Sequence, residues 1–351
     1  MSRLSAGRLP AGILYVATAA FVFALWIWGA DTQSTSLNGD PRSTLAGLID
    51  GTAYRPFVQR VLVPVLTRGV VSVIPASARA ALSDALLSSA KFRKESARLG
   101  WDTLRLPEYC VALLLAFAAL AAFPFVLRSL FRTLYETDAG LTNLVPLAAL
   151  LGLPPFFGVG THYVYDFPAL LLFTAGLLLI VRRDWTLFYP VFAIGCLNKE
   201  TTVILVLATI LIWGRSLPSR RLALHAAAQA LIAGAVAYAL ASAFSANPGS
   251  SVEFHLYGNI HNLLIPYTLE GAFFTILVAV LVLYDFKRKH PVLRACAWLI
   301  VPFAALMFLF AWMQELRDVY EVYPVFALLI AHTLAFSWGK RAYALRLLPS
   351  R

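Results

Sequence analysis

The feature that most restricts this chain is a succession of apolar runs separated by short basic loops. They fall at about 10–29, 108–127, 141–159, 167–181, 186–197, 200–214, 222–243, 263–284, 291–313 and 321–338. A helix rises about 1.5 Å per residue and a bilayer's hydrocarbon core is about 30 Å thick, so the shorter runs must tilt, sit recessed or borrow snorkelling ends. With 60% hydrophobic and 13% charged residues, an ordinary water-soluble globule is excluded. The expectation is an all-α polytopic membrane protein of ten spans, residues 1–351 forming a single membrane domain.

The formal charge of +11 does not point to nucleic acid, because the basic residues lie in short clusters between apolar runs, as orientation signals do. With the N-terminus inside, 17 of the 29 Lys and Arg residues occupy inner segments, against four acids there. Both termini are then cytoplasmic. Arg3 and Arg8 precede a run of about 20 residues without a small-x-small cleavage site, which reads as an uncleaved first span rather than a signal peptide. Cys110, Cys196 and Cys296 sit inside apolar runs and form neither a disulfide framework nor a metal-type spacing.

This orientation makes residues 30–107 a long first outer loop. Within it "FVQRVLVPVLTRGVVSVIP" is interrupted by Gln59, Arg60, Pro64 and Arg68. It reads as an amphipathic helix along the outer surface, followed by a second from Ala76 to Arg98. Lys91 to Arg105 sets five basic residues outside, against the general bias. If Phe57 to Pro75 crossed instead, 15 basic residues of the later loops would move outside, so the first arrangement is preferred.

The unusual polar residues then gather on the outer face. They are Asp31, Asp40, Asp50, Arg55 and Arg60 in the first loop, "GTHYVYD" with His162 and Asp166, "NKE" at 198–200, Glu253, His255 and His261, and "QELRDVYE" at 314–321. Arg182 and Arg183 before the "NKE" triplet, and Arg215, Arg220 and Arg221 after it, belong on one side. The segment between them must therefore be a hairpin with Asn198, Lys199 and Glu200 at its apex. Its short arms recess the apex, where charges cost several kcal/mol unless they pair or face a wet cavity. Two readings follow: Asn198 caps the next helix and Lys199 pairs with Glu200 or another acid, or Lys199 binds a phosphate.

Asp166, directly before Phe167 and Pro168, suits a helix start or a site acid. His162 is equally a structural histidine or a cavity residue. Glu315, Arg317, Asp318 and Glu321 either pair among themselves or let Arg317 face the cavity of Lys199. Glu253, His255 and His261 lack a fixed helical face, so no metal site is expected.

A first span, then the loop "NGDPRSTLAGLIDGTAYRPFVQRVLVP" carrying an acid and two surface helices, then many spans with short loops resembles the GT-C membrane glycosyltransferases. The resemblance implies a polyprenyl-phosphate sugar as donor, a glycan, lipid or protein as acceptor, an outward-facing site and location in a bacterial inner membrane. It gives Asp40 the role of catalytic base, with Asp31 second; Pro41 and Arg42 follow Asp40 where that family often has a second acid and an aromatic. Lys199, Arg60, Arg317 and Arg55 would hold the donor phosphate, and His162, Asp166, Glu200, His261 and Glu315 would line the substrate cavity. No cofactor is implied, since these cations can supply the charge a metal would. The competing readings are a transporter or flippase for a lipid-linked or anionic solute, and a polysaccharide polymerase or ligase.

Overall fold

The computed structural model describes residues 8–29, 37–157, 162–263, 269–313, 315–337, 339 and 343–344. Among them are the helices α1 (Arg8–Gly29), α2 (Leu45–Asp50), α3 (Leu62–Val73), α4 (Ala76–Ser88), α5 (Ala90–Arg98), α6 (Leu106–Leu134), α7 (Ala139–Leu151) and α8 (Asp166–Arg182). They continue as α9 (Trp185–Asn198), α10 (Leu205–Trp213), α11 (Ser219–Ala243), α12 (Leu256–Leu263), α13 (Leu269–Leu283), α14 (Pro291–Ala297), α15 (Ile300–Phe310) and α16 (Tyr323–Ser337). The strands among the described residues are a short antiparallel pair, Tyr135–Glu136 with Tyr343–Ala344.

The all-α expectation holds, but the count of ten spans does not follow from it. Among the described residues five helical stretches are long and apolar enough to cross a membrane: Ala11–Gly29, Thr103–Leu134, Ala139–Phe156, Ser219–Ala243 and Pro291–Phe310. A sixth is possible only if α3 and α4 count as one broken span, and they meet at 109°. The shortfall is one of length. The apolar helices α9 and α16 have 14 and 15 residues, about 21 to 23 Å each, less than a hydrocarbon core.

Local chemistry sets the helix ends. Asp138 and Asp184 accept hydrogen bonds from the first-turn amides of Leu141 and Leu187, at 2.7 and 3.2 Å, capping α7 and α9. Helix α8 starts at Asp166, as expected, with its acid in the first turn. The core runs along α6, which packs against α1, α3, α7 and α8. Its buried Ala112, Ala116 and Ala119 recur at one-face spacing, and small residues let helices approach closely in an apolar environment.

The expected hairpin is present. Asn198 Nδ2, at the apex, donates to the carbonyl of Tyr165 just before α8 (2.9 Å), while at the far end Trp213 Nε1 donates to the carbonyl of Ile180 (2.9 Å). Asn198 therefore ties the apex to α8 instead of capping the following helix. Two glycines allow the fit: a Cβ at Gly176 would stand 2.5 Å from Leu205 Cδ1, and one at Gly195 2.7 Å from Thr202 Cγ2.

The end of the bundle away from the apex is closed by Lys289, which the sequence offers only as an orientation signal. Its buried ammonium donates to the carbonyls of Leu281, Val282 and Leu329 and to Thr333 Oγ1, all at 2.7–2.9 Å. A cation at the last turn of α13 satisfies carbonyls that the helix leaves unpaired and fastens α13 to α16. Lys289→Met should therefore destabilise the protein by about 1–3 kcal/mol through those orphaned acceptors. The melting temperature in detergent measures this, and an unchanged value would remove the cap from the account.

Candidate functional site

Three aromatic rings form the spine of the polar end. Tyr163 and Tyr165, both buried in the segment entering α8, stack at 4.9 Å, and Phe57 stacks on Tyr163 at 5.8 Å. Guanidinium groups lie over these rings: Arg60 4.6 Å from Tyr165, Arg317 4.4 Å from Tyr163 and Arg42 5.6 Å from Phe57. Cations are attracted to the negative face of an aromatic ring, so the stack gathers positive charge from two distant parts of the chain.

Carboxylates then surround the cations. Glu200 takes two hydrogen bonds from Arg60, from Nη2 at 2.7 Å and from Nε at 3.2 Å, and Arg60 Nη1 donates to the Tyr165 hydroxyl. Lys199 Nζ sits 3.2 Å from Glu321 Oε1 and 3.8 Å from Asp318 Oδ1. Arg317 lies 3.8 Å from Asp166 Oδ1 and donates to Glu315. Thr201, at the hairpin apex, donates to Glu321. Lys199, Asp166 and Glu321 are 3%, 1% and 1% exposed, so this is a buried network rather than a solvated charge run. Among the described residues these pairs set five acids against three cations.

Several members keep unused hydrogen-bonding capacity. Lys199 Nζ, Arg317 Nε and Nη1, Asp166 Oδ1 and Glu321 Oε2 make no hydrogen bond among the described residues. Lys199 and Arg317 can therefore still donate to an oxygen ligand while their acids stay in place.

Asp40 stands in a second group. Arg42 binds it through the backbone amide (2.9 Å), Nε (3.2 Å) and Nη2 (2.8 Å), and reaches Glu253 Oε1 through Nη1 (2.7 Å). Glu253 in turn stands 3.3 Å from His255 Nε2. The turn at Pro41 thus folds Arg42 back onto Asp40. Burial pushes the Asp40 carboxyl up, but the Arg42 hydrogen bonds and charge outweigh this and hold its pKa below the ordinary carboxylate value. Asp31 lies outside the described residues.

The remaining expected site residues divide. Asp166, Glu200 and Glu315 join the network. Arg55 fastens the strap after α11 to the first loop, its amide donating to the Pro248 carbonyl at 2.9 Å and Nη2 to the Gly249 carbonyl at 2.6 Å. His162 is buried and stacks on Trp26 at 5.3 Å, beside a small apolar pocket that Trp101 also lines. His261 is exposed on α12, with no cluster side chain bonded to it among the described residues. Sequence reasoning missed the aromatic spine and Arg42; its one usable signal was a Tyr-Val-Tyr triplet at the head of a helix.

No protein-family model, curated protein or solved structure matches the chain. The geometry therefore carries the functional argument alone.

A buried ion pair that loses one partner leaves an uncompensated charge, which costs about 3–5 kcal/mol. Lys199→Met and Glu321→Gln should each lose about that much, and the double variant clearly less than the sum. Thermal unfolding of the four proteins reads the cycle; additive losses would show that the two groups do not act as a pair.

Proposed function

We propose that the chain is an integral membrane glycosyltransferase of the GT-C kind, moving a sugar from a polyprenyl phosphate to an acceptor hydroxyl. In this reading it makes ten passes through a bacterial inner membrane, with both termini cytoplasmic and the aromatic-spined end outside. The observation that carries the proposal is the convergence of Arg60, Lys199 and Arg317, separated widely in sequence, on one end of an apolar helix bundle. Asp166 and Asp318 link them: each faces more than one of the three cations.

The chemistry has two requirements. The acceptor oxygen bonds to the anomeric carbon as the bond from that carbon to the phosphate oxygen breaks; the hydroxyl proton needs an acceptor and the departing phosphate needs stabilised charge. Asp40, kept ionised by Arg42, is the proposed proton acceptor, worth about 10² to 10⁴ in rate. Arg60, Lys199 and Arg317 are the proposed phosphate ligands, the guanidiniums offering forked donors that match phosphate oxygens. Lys199 and Arg317 keep unused donors, but Arg60 has Nε and Nη2 on Glu200 and Nη1 on Tyr165, so at Arg60 the phosphate must take the place of an acid. Glu200 is the accessible choice, its side chain 62% exposed.

The excess of carboxylates lends some support to a second reading, a transporter or flippase for a lipid-linked anion. Such a network would bind and release a solute by exchanging partners, with no bond broken.

Purified protein in liposomes, assayed against a panel of polyprenyl-phosphate sugars, separates the two. Asp40→Asn should lower transfer by about 10² or more with donor binding retained. Glu200→Gln should tighten donor binding by freeing Arg60. Full transfer by Asp40→Asn would remove the base assignment, and weaker donor binding by Glu200→Gln would remove Arg60 from the phosphate site.

A further inference from the structure

The first outer loop carries basic residues that neither the bundle nor the proposed site uses. Of the five between Lys91 and Arg105, two are matched: Arg98 pairs with Glu95 at 2.7 Å, and Arg105 with Asp50 at 2.7 Å and Asp102 at 3.6 Å. Lys91, Arg93 and Lys94 are exposed on α5, and among the described residues no acid pairs with them. Arg93 is held in place by donating to the carbonyls of Leu87 and Ser88 at the end of α4.

The same segment exposes apolar surface. Helix α3 buries Val63, Pro64, Thr67 and Val71, while Val65, Leu66, Val70 and Val73 are 48%, 45%, 41% and 79% exposed along its other side. Four branched apolar side chains in one stripe are poorly suited to water and well suited to lipid. The chain then turns 109° into α4, which buries none of its side chains, and reaches the basic helix α5. An apolar stripe followed within one short helix by an unpaired cationic cluster has the layout of a segment seated at a membrane surface, stripe in the acyl region and cations among headgroups.

We infer that Lys91, Arg93 and Lys94 form a binding surface for anionic phospholipid headgroups on the same side of the membrane as the polar site. Charge complementarity selects anionic over zwitterionic lipid, and the adjoining apolar stripe selects a lipid over a soluble polyanion. The inference is independent of the proposed glycosyl transfer, since none of the three residues belongs to that site.

The test uses the full chain in nanodiscs containing equal amounts of photoactivatable phosphatidylglycerol and phosphatidylcholine, with adducts mapped by peptide mass spectrometry. Adducts within 62–98 should favour phosphatidylglycerol about fivefold in the unaltered protein, and the preference should fall close to one in K91Q/R93Q/K94Q. K91Q/K94Q keeps the Arg93 bonds to α4 and should still lose most of the preference, so a folding defect in the triple variant does not decide the outcome. Equal labelling by both lipids, or a preference that survives in K91Q/K94Q, overturns the inference. So does loss of polyglutamate binding in the variants while the lipid preference is unchanged, which would assign the surface to a soluble polyanion.

Discussion

The fold of the polar end depends on the cost of burying charge. Lys199 is 3% exposed at a hairpin apex between apolar arms, and it is tolerable there only because Glu321 and Asp318 reach it from the segment before α16. Arg317 meets the same condition through Asp166 at the head of α8 and its neighbour Glu315. These pairings bind three stretches, near residues 166, 199 and 318, into one unit. Arg60 extends the unit to the first loop through Glu200, and Arg42 extends the loop to the strap after α11 through Glu253. The three-ring stack of Phe57, Tyr163 and Tyr165 supplies the rigid apolar body on which the guanidiniums lie.

The two ends of the bundle solve the same problem differently. At one end Lys289 is satisfied by three backbone carbonyls and a threonine, partners fixed by the helices that carry them. At the other, cations face side-chain carboxylates that can turn away or be replaced. The first arrangement suits a joint and the second a site where one anion takes the place of another. That contrast is the physical basis for setting the proposed chemistry at the Lys199 end.

Much of the architecture was legible in the amino-acid order. Basic residues flanking 186–214 required a hairpin, and Pro168 after Asp166 marked the start of α8. The interrupted run from Phe57 to Pro75 contained a short helix bent sharply into the next, the expected second surface helix being split into α4 and α5. What was not legible is contact between residues remote in sequence. Nothing near Lys199 announces Glu321, 122 positions later, and adjacency made Glu200 look like its partner until Arg60 claimed that acid. Apolar runs report composition but not where a helix ends, so runs at 186–197 and 200–214 read as spans although their helices are short. The pairing of Asp40 with Arg42 was not legible for a local reason: Arg42 is two residues away, and the turn that brings its guanidinium back is a property of backbone shape.

The most direct test of the central claim is a structure of the protein with a short-chain polyprenyl phosphate bound. The account predicts the phosphate oxygens within hydrogen-bond distance of more than one of Arg60, Lys199 and Arg317, with Glu200 turned away from Arg60. A phosphate bound elsewhere, with all three cations still on their present carboxylates, would contradict it.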